Sequence, residues 1–333
     1  MTLLAGVRDW MAGFVGDFLA TWLLGAALIM TFLAFNVLFL VLAERKLAGH
    51  FQRRVGPMEV GPHGSLQSIA DMVKLLGKQI LTPVETDRFV YVLAPLLVFL
   101  PTLCVASLIP LSGAEAFANQ PYGLLVIIAL SGVTVLSIFM AGWSSNNKYA
   151  VLGGMRSVAQ VIAYEIPVLL AVLAVVFVAQ TTNLRLLVEA QHNGVWYILK
   201  QPLAAVLFFI GITAETNRAP FDIPEAESEL VGGFHTEYSG MRFAMFFFAE
   251  YTNMLVLGAL GATLFLGGWL GPVLPGFVWL ILKTYAVIFV MIWVRWTYPR
   301  LRFDQLMSFA WKLLIPVALA NLIVTAVLVH GVH

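Results

Sequence analysis

Charge is what this sequence has least of. Only 11% of its 333 residues are Asp, Glu, Lys or Arg, where a soluble globular chain carries roughly 25%. The net charge is +1, so no global field recruits an acidic or basic partner, and nucleic-acid binding is excluded. Cysteine is nearly absent: Cys104 stands alone in an apolar run, which excludes an intrachain disulfide and a cluster built on cysteines. There is no GxGxxG, no Walker loop, no HExxH and no nucleophile elbow. The six histidines (His50, His63, His192, His235, His330, His333) are expected in loops or at the end of the last span. A haem takes axial histidines from within spans, so neither haem nor redox metal is expected on this chain. Electrons for any redox reaction come from another subunit.

What is present is hydrocarbon. Apolar residues make up 60% of the chain, against about 45–50% in a soluble domain, and the mean hydropathy is +0.90. This is a chain that dissolves in lipid. The start, MTLLAGVRDWMAGF, lacks a small-residue cleavage site and reads as a mature N-terminus.

A spanning helix takes about 20 apolar residues. Eight stretches qualify: 19–43, 90–111, 122–143, 157–179, 200–216, 241–267, 276–296 and 311–330. The fold class is therefore all-α: a polytopic membrane protein of about eight spans in one domain, 1–333. Trp143, Trp196, Trp269, Trp296 and Trp311 fall near proposed ends, where interfacial aromatics belong. Internal repeats and linkers are lacking, which counts against an inverted-repeat transporter.

Loop charges set the orientation. Arg45, Lys46, Arg53, Arg54, Lys74, Lys78 and Arg88 crowd the first loop; Lys148 and Arg156, Arg218 and Arg242, and Arg295, Arg300, Arg302 and Lys312 follow in the other odd loops. The even side holds only Arg8, Arg185 and Lys200. The positive-inside rule puts the odd loops in the cytoplasm and both termini outside. In the first loop, Leu66, Ile69, Val73, Leu76 and Ile80 share one stripe at helical spacing, with Gln67, Asp71, Lys74 and Lys78 opposite. That pattern predicts an amphipathic interfacial helix over 64–81.

Buried charge is the most informative feature. An ionised group at mid-membrane costs about 2.5–3.5 kcal/mol on insertion scales, so such groups pair or line a wet path. Glu165, Glu215, Glu250 and Lys283 are placed there by the span assignments. Either they form ion pairs that fix helix order, or they make a proton path. Between Glu215 and Glu250 lie seven of the eighteen acids: Glu215, Asp222, Glu225, Glu227, Glu229, Glu237 and Glu250. Glu225, Glu227 and Glu229 alternate, so an extended segment projects all three to one side. Carboxylates so close resist full ionisation together and titrate as a coupled group. The loop is bounded by Pro220, Pro224, Gly232 and Gly233, which reads as a folded, protonatable cavity rather than a solvated strand of acids.

Three blocks carry a resemblance: ERKLAGHFQRRVGPMEVGPHGSLQSIADMVKLLGK (44–78), AETNRAPFDIPEAESELVGGFHTEYSGMRFAMFFFAEY (214–251) and WVRWTYPRLRFDQLMSFAWKLLIP (293–316). They resemble the H-subunit family of proton-pumping NADH:quinone oxidoreductase, respiratory complex I. The resemblance implies a multi-pass subunit of the bacterial inner membrane, at the heel of an L-shaped complex. It joins a peripheral arm carrying flavin and iron–sulfur clusters to the pumping subunits, binds no cofactor itself, and frames the tunnel for a long-tailed quinone substrate. By motif, Glu44, Arg45, Arg54, Asp71 and Arg218 match the junction of quinone tunnel and peripheral arm, and Asp222, Glu225, Glu227, Glu229 and Glu237 match the acidic loop beside it. Glu165, Glu215 and Glu250 match the buried acids that lead toward the pumps. Gln79 departs from the Lys-Glu pair of the family pattern, and Trp296 is bulkier than the small residue there. Ubiquinone and menaquinone are not distinguished, since tunnel walls recognise a tail common to both. The other readings of the same residues are an autonomous proton-coupled transporter and a structural anchor.

Overall fold

Lipid offers no water to a spanning backbone, so apolar stretches close their hydrogen bonds within themselves and become helices. The computed structural model describes residues 11, 16–112, 120–192, 194–224 and 231–331, and every regular element among them is helical. Helix α1 is Asp17–Phe51, α2 Gln67–Gly77, α3 Arg88–Leu108, α4 Gly123–Ser144, α5 Lys148–Ala179, α6 Leu184–Glu189 and α7 Tyr197–Lys200. Then come α8 Pro202–Glu215, α9 Gly240–Phe265, α10 Gly276–Thr297, α11 Phe303–Phe309 and α12 Ile315–Gly331, the last two joined by a π-helical turn, Ala310–Leu314.

Among the described residues, seven helical segments are long and apolar enough to cross a membrane. The stretch expected as the fifth span is shorter. Helix α8 has 14 residues, about 21 Å at 1.5 Å per residue. Pro202 starts it, where a missing N–H costs nothing. Its far end is a Schellman closure: Asn217 is left-handed, φ 49°, its N–H donates to Ala214 O at 3.1 Å, and the Arg218 N–H donates to Thr213 O at 3.2 Å.

Two helices overrun their apolar cores. Helix α1 continues past Ala43 to Phe51 because Glu44, Arg45, Lys46, Leu47 and Ala48 are good helix formers. Glu44, Arg45 and His50 are thus on a helix and not in a loop, contrary to the sequence expectation for His50. Helix α5 likewise starts at Lys148, capped by Asn147, whose side chain accepts from the Tyr149 N–H. The amphipathic helix is α2, tighter than 64–81: left-handed Gly61 and Gly64 precede it, and Lys78 is already extended. Its apolar stripe is open, with Val73 and Leu76 more than half exposed.

The core gathers around α5 and α9, the most enclosed of the long helices. At one end of the bundle lie the end of α1, the starts of α3, α5 and α9, and the end of α10. Asp87 N–H to Ser144 O (3.3 Å) and the Arg295–Glu44 ion pair tie that end together. The segments 216–224 and 231–239 fold over it. There Tyr91 and Tyr238 stack at 4.1 Å with planes 7° apart, and the Tyr91 hydroxyl donates to Glu237 O at 2.7 Å.

Candidate functional site

Two polar sites share helix α9 as a wall. Successive helical residues point about 100° apart, from 3.6 residues per turn. Tyr251 accordingly faces α1, while Glu250 faces the interior between α3, α4 and α8.

The first site is built on Glu44, a carboxylate only 4% exposed at the end of α1. The Tyr251 hydroxyl donates to Glu44 Oε2 at 2.8 Å. Arg295, at the end of α10, donates to Glu44 Oε1. The Schellman turn after α8 carries Arg218 inward, where its guanidinium lies 3.8 Å from Glu44 Oε1 and 4.4 Å above the Tyr251 ring. The longer distance is an ion pair without a hydrogen bond. One buried carboxylate thus binds three elements together, and an aromatic face takes up part of the second cation.

The second site is a small cavity of about 40 Å³ lined by Glu215, Glu250, Asn217, Asn253, Thr102, Thr134 and Thr216, among apolar neighbours. Its threonine hydroxyls spend their protons on their own helices: Thr102 donates to Phe99 O (2.7 Å), Thr134 to Ser131 O (2.6 Å) and Thr216 to Ile212 O (2.9 Å). What they turn to the cavity is lone pairs, so with the two carboxyl groups the walls are rich in acceptors. Phe234 and Phe246 close one side of the cavity, under the buried Tyr238, whose phenol burial pushes well above its usual titration range. Glu165 sits one step behind, on α5, and accepts from Ser131 Oγ at 2.8 Å.

The remaining candidates fall around these two sites. Arg45 and Asp71 pair across α1 and α2, and Gln67 donates to the second Asp71 oxygen at 3.1 Å. Asp222 pairs with Arg300 at 3.0 Å. Glu237 accepts from Asn147 Nδ2 at 2.6 Å. Arg54 is not brought in: it is exposed beyond α1 and donates to Gln52. Glu225, Glu227 and Glu229 lie outside the described residues. Where the sequence departs from the family pattern, Gln79 contributes its backbone oxygen to Ser239 Oγ at 3.3 Å, and the Trp296 ring lies 5.7 Å from the Arg295 guanidinium. Among the described residues no group of three or more His, Cys, Asp or Glu is arranged for a metal.

Sequence reasoning passed over Arg295 as one more loop charge and missed Tyr251 and Gln160. Gln160 is fully buried, and its amide donates to Ala214 O at 2.8 Å and Phe221 O at 2.7 Å, holding the turn that aims Arg218. A glutamine in the middle of an apolar helix was the available signal.

The NADH dehydrogenase family profile matches residues 24–326. The chain belongs to that family. It is 51% identical over 311 residues, 92% of this chain and 93% of the relative, to the NADH-quinone oxidoreductase H subunit of Geobacillus thermodenitrificans. The H subunits of Geobacillus kaustophilus (52%, over 91% of this chain and 92% of the relative) and Geobacter sulfurreducens (46%, over 90% and 92%) are similar along the same length. The NADH dehydrogenase profile covers every element that builds the two sites, from Glu44 to Arg295.

Proposed function

We propose that this chain is the membrane subunit of a proton-pumping NADH:quinone oxidoreductase, and that it frames a quinone tunnel on its basic end and starts the acidic route to the pumps. The observation that carries the coupling part is that Glu215 and Glu250 line one acceptor-rich cavity, with Glu165 hydrogen-bonded to Ser131, one turn from the cavity-lining Thr134. The similarity to NADH-quinone oxidoreductase H subunits over nine-tenths of the chain supports the assignment to the complex.

In this reading the Glu44–Arg218–Arg295–Tyr251 cluster holds the tunnel wall in register. The Arg45–Asp71 pair and the open stripe of α2 form the junction with lipid and the peripheral arm. A change of charge on the quinone headgroup is felt by the buried acids, because low-dielectric surroundings screen poorly. Flavin and iron–sulfur clusters belong to partner subunits, which supply the electrons. The chain crosses a bacterial plasma membrane eight times, with α8 as the shortened fifth span, the odd loops in the cytoplasm and both termini outside.

Two experiments test this. Mild-detergent purification of the tagged chain from its own membranes is expected to bring flavin, iron with acid-labile sulfide, and NADH-driven quinone reduction; a lone chain without them overturns the assignment to the complex. In the assembled complex, Glu215→Gln or Glu250→Gln is expected to lower coupled quinone reduction about tenfold or more. Wild-type turnover and proton pumping in both variants overturns the coupling reading.

A further inference from the structure

Ser131 carries one hydroxyl proton and faces two acceptors. Its Oγ lies 2.7 Å from Ile128 O and 2.8 Å from Glu165 Oε1, both within ordinary hydrogen-bond distance. A serine hydroxyl has one donor and two lone pairs. When Glu165 is ionised, the proton belongs on the carboxylate, where a charge-assisted bond is the stronger one. When Glu165 is protonated, its own O–H points at Ser131 Oγ, and the serine proton turns to Ile128 O. The heavy atoms need not move in either state.

The same face of α4 continues the arrangement. Thr134 is one turn on, about 4.5 Å along the axis at 1.5 Å per residue. It donates to Ser131 O at 2.6 Å and lines the cavity that holds Glu215 and Glu250. Ser137 repeats the pattern, donating to Thr134 O at 2.7 Å. The hydroxyl column therefore meets Glu165 at Ser131 and the acid cavity at Thr134.

We infer that Ser131 is a two-state partner of Glu165, holding that carboxyl group in one position whether or not it carries a proton, and that Thr134 sets the same hydroxyl face against the Glu215–Glu250 cavity. The inference rests on the coupling role proposed above. The proton that Glu165 gains lies between its Oε1 and Ser131 Oγ; Ser131 keeps its own proton throughout, so no charge is left on the hydroxyl. Ser131 is a positioning residue in this scheme.

The test uses the assembled complex in its own membranes, with Ser131→Ala, Ser131→Thr, Thr134→Val and Thr134→Ser, beside Glu165→Gln, Glu215→Gln and Glu250→Gln. The control is Thr31→Val, since Thr31 donates to Ala27 O on an exposed face of α1. NADH-driven quinone reduction, proton yield and the solvent deuterium isotope effect are measured, with infrared difference spectra of the carboxyl stretch assigned by its loss in Glu165→Gln. Ser131→Ala is expected to lower coupled turnover about tenfold, the scale of one hydrogen bond to a charged group, and to move the Glu165 band. Ser131→Thr is expected to restore both. Thr134→Val is expected to slow turnover and Thr134→Ser to leave it intact. If Glu215→Gln and Glu250→Gln slow turnover while Ser131→Ala keeps wild-type turnover, isotope effect and carboxyl band, the inference fails and the coupling role stands. If the Glu215 and Glu250 variants also match wild type, the coupling role fails first. Should Ser131→Ala not assemble, an unmoved band in Ser131→Gly overturns the inference equally.

Discussion

Replacing Glu44 by glutamine tests the first site most directly. The substitution keeps the size and one carbonyl oxygen for the Tyr251 hydroxyl, and removes only the charge. Breaking a buried ion pair from one side costs about 3–5 kcal/mol, because the partner stays buried and uncompensated. Here two guanidinium groups lose their anion. Arg218 is only 6% exposed, so solvent takes over little of its loss. The Arg295 side chain is 23% exposed, so solvent takes over part of its loss and its share falls toward the value of a surface pair. The lower end of the range, about 3 kcal/mol, follows for Glu44→Gln.

Arg295→Gln is expected to be milder, about 1–2 kcal/mol, since Arg218 still faces Glu44 at 3.8 Å. Unfolding of a membrane assembly is irreversible, so the assay is the half-life of the purified complex on heating. A loss of about 3 kcal/mol expressed on unfolding shortens that half-life about a hundredfold. The double variant is expected to lose less than the two singles together, because they remove the same pair. A half-life within about twofold of wild type for Glu44→Gln, or strict additivity in the double variant, refutes the view that this cluster clamps α1, α9 and α10.

Two further substitutions probe the framework. Lys283 is buried at the other end of α10, donating to Gly268 O at 3.0 Å and Leu270 O at 2.6 Å beneath the Trp196 ring at 4.5 Å; Lys283→Met is expected to cost about 1.5–3 kcal/mol, and an unchanged heat-inactivation half-life refutes its role as a loop anchor. Gly153→Ala puts a Cβ 2.7 Å from Gly233 Cα, backbone against backbone, so it is expected to cost about 1–3 kcal/mol and to lift the segment that covers the acid cavity. Gly132→Ala, with nothing within 4 Å of the new Cβ, serves as the matched control, and equal half-lives for the two variants contradict the close-packing argument.

The helical architecture was legible because apolar length is nearly the whole signal in lipid. The boundaries were less so, and for one reason at both α1 and α5: a helix does not stop where hydrophobicity stops. Lys148–Met155 and Glu44–Phe51 continue on good helix formers or on tight glycine contacts such as Gly142 against the Ala150 backbone, where a Cβ at 142 would meet the Ala150 oxygen at 2.7 Å. The shortened α8 was hidden for the opposite reason. Composition placed 200–216 among the spans, yet the break at Gln201 and the left-handed Asn217 set its length.

The acids could be found from sequence, but not their partners, and the difference has a physical cause. Intramembrane charge is rare enough to be conspicuous, so Glu165, Glu215 and Glu250 stand out from an apolar background, whereas Glu44, just past the first expected span, was singled out only by the family resemblance. Which cation meets which acid depends on helix rotation, and in lipid that rotation is set by small-residue packing and polar contacts rather than by an apolar face seeking a core. The stripe that makes a soluble helix readable is missing from α5 and α9, because lipid and core are alike apolar. Arg218 shows the consequence. Its path to Glu44 runs through a local Schellman turn and, from distant parts of the chain, the Gln160 amide and the Tyr251 ring, and none of these leaves a local periodicity to read. The two sites share their backbone for the same reason: Glu250 and Tyr251 are neighbours on α9, and Glu215 and Arg218 flank one turn, so the rotation of one helix and the shape of one turn set both.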